Sequence, residues 1–98
     1  MNDLHGAHAA LESIEATLKH YYGGMHNDAA LKEIRKAVTE FQAAHDTAGY
    51  IGEKLGAIIP MAERLYSPRK HKGDMERVRL AISTYLMSVR NSIEPKPN

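Results

Sequence analysis

The chain has 98 residues, 43% of them hydrophobic and 26% charged, with a formal net charge of +1 and no cysteine. That length holds one domain with one modest core, and the composition excludes wholesale disorder. The missing cysteine excludes a disulfide scaffold, thiolate metal sites and a cysteine nucleophile.

No apolar run approaches the roughly 20 residues a membrane span needs. The start, Met1 to Gly6, is neither basic nor followed by a long apolar core, so no signal peptide is read and a cytoplasmic location is expected. Strand-like alternation is missing too, with valine only at 38, 78 and 89. The expectation is an all-α domain over residues 1–93 with a disordered tail over 94–98.

The first predicted helix runs from about Asp3 to Tyr22. Asn2 or Asp3 caps it, and Leu4, Ala7, Leu11, Ile14, Leu18 and Tyr21 form its apolar stripe, which continues in register to Met25. Gly23-Gly24 then stops it. Asn27 or Asp28 caps the second, about Asp28 to Ala44, with Leu31, Ile34, Val38 and Phe41 as stripe and His45 next in register. The third covers about Thr47 to Tyr66, with Ile51, Leu55, Ile58, Ala62 and Leu65 inward. Gly73-Asp74 opens the fourth, about Asp74 to Ser92, whose apolar side is Met75, Val78, Ile82, Tyr85, Leu86, Val89 and Ile93. Short connections favour antiparallel neighbours, hence a compact four-helix arrangement. The long stripe of the first helix is also compatible with a homodimer.

The third segment breaks local rules. It holds Gly49, Gly52, Gly56 and Pro60, and glycine costs about 1 kcal/mol and proline about 3 kcal/mol inside a helix. Two accounts follow: one helix kinked near Gly56–Pro60, or two short helices broken there by a turn. In the second account, Ile51-Gly52, Leu55-Gly56 and the pair Ala62/Leu65 fall at telling positions. Their spacing resembles the helix-turn-helix of DNA-binding regulators. Gly56 would then supply the left-handed turn and Pro60 the first turn of the next helix. The resemblance covers 18 of the 98 residues. It implies that residues of about 60–68 face the major groove, with Met61, Glu63, Arg64 and Ser67 near bases and Arg64 suited to guanine.

Charge is unevenly spread. Residues 1–45 hold four Lys/Arg against six Asp/Glu, and residues 46–98 hold nine against six. The excess centres on the run Arg69-Lys70-His71-Lys72, which with Arg64 makes a candidate nucleic-acid or anion site. Tyr21, Tyr22, Tyr50 and Tyr66 are candidates for a protein interface, since tyrosine is enriched at binding hot spots. His5, His8, Glu12 and Glu15 form a polar stripe on the first helix. Two residues of one helix seldom hold a metal, so no metal is expected.

No nucleophile elbow, phosphate-binding glycine loop or dinucleotide fingerprint is present, so neither an enzyme nor a cofactor is expected. The leading expectation is a small non-catalytic helical interaction protein, an adaptor, inhibitor or assembly factor that shows a helical surface to a protein partner. The alternative is a small DNA-binding regulator using residues 48–66 and the basic loop 69–72.

Overall fold

A short acceptor side chain opens the first helix. Asp3 Oδ1 accepts the Gly6 N–H at 3.0 Å, which satisfies one of the free donors of the first turn. The computed structural model describes residues 2–23, 25–67 and 75–94. Within them lie four helices: α1 (Leu4–His20), α2 (Asp28–Ala44), α3 (Tyr50–Tyr66) and α4 (Met75–Ile93). The all-α, four-helix expectation holds.

Asn27 caps α2 as Asp3 caps α1, its Oδ1 accepting the Ala30 N–H at 3.0 Å. Asp28 adds a carboxylate to that first turn, where the helix dipole favours negative charge. α3 starts three residues later than its pattern suggests. The Ala48 N–H turns back to Asp46 Oδ1 at 3.0 Å, and Gly49 then caps the helix at a φ of 72°, a left-handed value that suits glycine. α1 ends earlier than expected, at His20. Tyr21 is already extended, and Met25 lies exposed rather than on the buried stripe.

Each helix runs antiparallel to the next. The Asp3 N–H donates to the Ala44 carbonyl at 2.6 Å, joining the start of α1 to the end of α2. The Asn27 N–H donates to the Tyr66 carbonyl at 2.8 Å, joining the start of α2 to the end of α3. Contacts are densest within the α1–α2 and α3–α4 hairpins, thinner between α2 and α3, and thinnest between α1 and α4. Among the described residues the Cα atoms of diagonal helices stay more than 8 Å apart. Leu11, Ile14, Ile34, Phe41, Leu55, Ile58, Leu65, Ile82, Leu86 and Val89 are fully enclosed between the four helices.

Side-chain size explains the uneven seams. Gly6, Ala10, Ser13 and Thr17 recur at steps of four, three and four along one edge of α1. Ala30, Ala37 and Ala44 recur every seven residues along α2. A methyl at Gly6 would sit 3.2 Å from Ala44 Cβ, so the two edges meet closely. Interaxial distance follows the side chains at the contact, and these are small. The edge of α1 that faces α4 instead carries Glu15, Leu18 and Lys19, which hold the two helices apart.

α3 decides between the two accounts of residues 48–66. It is one continuous helix with a minor kink, and no turn interrupts it at Gly56. Pro60 and Gly56 are both exposed. The Gly56 carbonyl, deprived of its partner by Pro60, therefore faces water, which makes the lost bond tolerable without a break.

Candidate functional site

The seam between α1 and α4 opens into a groove of about 250 Å³. α1 contributes Glu15, Leu18 and Lys19, and α4 contributes Arg79, Ser83, Met87 and Arg90. Buried Leu18 forms the floor. Residues 79, 83 and 90 fall on one flank of the α4 apolar stripe, which is why they turn toward α1 rather than into the core.

The groove carries three cations against one carboxylate. Arg90 is committed: its Nη2 donates to Glu15 Oε1, and both side chains are about one-third exposed. Lys19 and Arg79 have no ion-pair partner among the described residues. Arg79 instead lies close enough to the Tyr66 phenol to pull its pKa down. Burial is the larger influence, and the phenol stays above its ordinary value. Met87 is the exposed apolar side chain of the lining, and Leu80 lies just outside it on α4. Met87 is 61% exposed, and Leu80, two turns earlier on the same stripe of α4, is 60% exposed. A cationic trough beside two bare apolar side chains can hold a carboxylate-bearing, partly apolar ligand.

The residues singled out from sequence do not converge there. Tyr66 is corrected outright. Its ring is fully enclosed by the core and its hydroxyl donates to the Tyr21 carbonyl at 3.1 Å, so it presents nothing to a partner. Tyr21 is half-buried, its ring edge-on to His20. Tyr22 is exposed at that end of the bundle, whereas Tyr50 stands at the other end of α3 with Lys54 Nζ over its ring at 5.4 Å. The same ammonium lies 4.5 Å from the centre of the Tyr85 ring, so Lys54 links α3 to α4. The four tyrosines therefore form no single patch.

Arg64 is exposed, on a stripe of α3 that also carries Glu53, Gly56 and Pro60. Glu63 faces Arg35 of α2 at 3.8 Å. Arg69, Lys70, His71 and Lys72 lie outside the described residues, as do Asp74 and the tail over 95–98. On α1, Glu15 belongs to the groove through Arg90. His45 ends α2, its Nδ1 2.8 Å from the Asp46 carbonyl and its ring tilted against Phe41. Among the described residues no three His, Asp or Glu side chains cluster as metal ligands would, and no helix is long and apolar enough to cross a membrane.

A second hollow lies on α2 around Leu31, with Lys32, Arg35 and Lys36 at its edges. Asp28 shares it, and Arg35 is already turned to Glu63. The α1–α4 groove is thus the stronger candidate. Its residues Lys19, Ser83, Met87 and Arg90 were not singled out from sequence. The only signal was positional: each sits at the edge of an apolar stripe. No protein-family model, curated protein or solved structure matches this chain.

Proposed function

We propose that this chain is a non-catalytic helical interaction protein that shows its α1–α4 face to a protein partner, as an adaptor, inhibitor or assembly factor acting in the cytosol. One observation carries the reading. The bundle is least closed along that seam, and there Lys19 and Arg79 have no carboxylate partner among the described residues and stand beside exposed Met87 and Leu80. Arginine and methionine are enriched where proteins bind one another, and exposed apolar side chains rimmed by charge are a common mark of such sites. The DNA-binding alternative loses its main support with the continuous α3, which lacks the turn that a helix-turn-helix needs.

The test is site-specific photo-crosslinking in cells. A benzophenone side chain placed at Ser83 should yield discrete protein adducts, and the same probe at Lys36 or Tyr22 should not. The adducts should disappear when Arg79→Glu is added. Adducts of equal yield at all three positions, or nucleic acid as the captured species, would refute the reading. Duplex binding is checked separately by fluorescence anisotropy at about 50 and 200 mM salt, where a DNA-binding protein loses affinity steeply.

A further inference from the structure

The charge and shape of the groove go further than "a protein partner" and describe its chemistry. We infer that the α1–α4 groove receives an acidic amphipathic helix from the partner, lying along α4 with its carboxylates on Lys19 and Arg79 and its apolar side chains on Leu80 and Met87. This rests on the interaction reading above.

Charge complementarity selects the occupant. Three cations line the groove, and Glu15 already neutralises Arg90, so the groove supplies an internal example of the contact it makes. Arg–carboxylate pairs are directional and stronger than neutral hydrogen bonds, and Arg79 has its guanidinium uncommitted to any described carboxylate.

Length selects a helix over a short loop. The α4 wall of the groove runs from Arg79 to Arg90, eleven residues or about 16 Å along the axis at 1.5 Å per residue, with Arg79 as its cation uncommitted to any described carboxylate. Leu80 and Met87 stand seven apart on the adjoining stripe. A partner helix with apolar residues seven apart and acidic residues on one flank matches both rows in register, the usual way an amphipathic helix is seated in a groove.

Random 18-residue peptides displayed on phage would be selected on the full chain. Winners would be measured by anisotropy in 50 and 300 mM NaCl against wild type, Arg79→Glu, Lys19→Glu and Met87→Glu, with circular dichroism confirming each fold. The proposal expects winners rich in Asp and Glu with apolar residues at steps of three, four and seven. Their affinity should fall about tenfold or more in Arg79→Glu and in Lys19→Glu, and should fall when their acids are replaced by amides. Lys19 is exposed, so its variant keeps the test alive should Arg79→Glu fail to fold. Neutral or basic winners that still need Met87 would overturn the acidic partner and leave the interaction reading standing. Winners indifferent to all three variants, or none at all, would overturn both. A second copy of the chain on this face, seen as a dimer that Met87→Glu dissociates in sedimentation, would overturn the acidic helix as occupant.

Discussion

One substitution made at two positions of α3, four residues apart, should change stability in opposite directions. Gly56→Ala places a methyl where nothing lies within 4 Å, in the middle of an exposed helical face. The gain is the removal of glycine's excess freedom in the unfolded chain, about 0.5–1 kcal/mol. Gly52→Ala brings the same gain, but its Cβ would stand 1.8 Å from the Thr47 carbonyl oxygen. Restoring an ordinary 3.4 Å contact needs a shift of about 1.6 Å in backbone, not in a flexible side chain. That backbone is held by the Ala48 N–H bond to Asp46 and by the Glu53 N–H bond to the Gly49 carbonyl at 3.0 Å. Overpacking of this kind costs about 1–3 kcal/mol, which outweighs the propensity gain. In a domain of this size 1 kcal/mol moves Tm by about 4–8 °C. Thermal melts followed by circular dichroism should therefore place Gly56→Ala above wild type by several degrees and Gly52→Ala below it. Two shifts of the same sign would refute the account of why each glycine is there.

Pro60→Ala should stabilise the chain by about 1–3 kcal/mol in urea titrations, because it restores a donor to the Gly56 carbonyl; a loss would mean that the kink itself is needed for packing. Tyr66→Phe should cost about 1 kcal/mol at neutral pH through the lost bond to the Tyr21 carbonyl. The Tyr66 phenol is raised above its ordinary 10.0 in the folded chain, so its protonated form adds stability below pH 10 that is lost as pH climbs toward the higher folded value. Denaturation curves of wild type and Tyr66→Phe should accordingly converge above pH 10, and a constant gap would refute this. Asn27→Ala should cost about 1 kcal/mol through the lost cap of α2, and serine at that position should recover most of it.

The helices were legible because their signals are local. Asn27 ahead of the stripe from Leu31 to Phe41 marks the start of α2, and the observed bounds are those the pattern implies. The start of α3 was misplaced because Asp46 and Gly49 build a turn that the apolar spacing does not report. Met25 misled because periodicity can run on in register after a helix has ended. Whether Pro60 breaks α3 depended on which way Gly56 faces, a tertiary fact. The groove was not legible at all. It joins Glu15 to Arg90, and no local pattern says that α1 and α4 are neighbours or that their seam is the loosest. The small residues that seal α1 to α2 are visible in the sequence, but their meaning appears only once the α1–α4 seam is known to carry Glu15, Leu18 and Lys19 instead.

The concentration of contacts within two hairpins also has a kinetic side. Most tertiary contacts join helices adjacent in the chain, so little loop entropy is spent before packing begins to reward it. Each hairpin can form as a unit, and folding should be fast, in the microsecond-to-millisecond range typical of helical bundles. The last event is then the docking of one hairpin on the other, and its thinnest contact is the α1–α4 seam. In the native ensemble that seam should be the first to open, before either hairpin unravels.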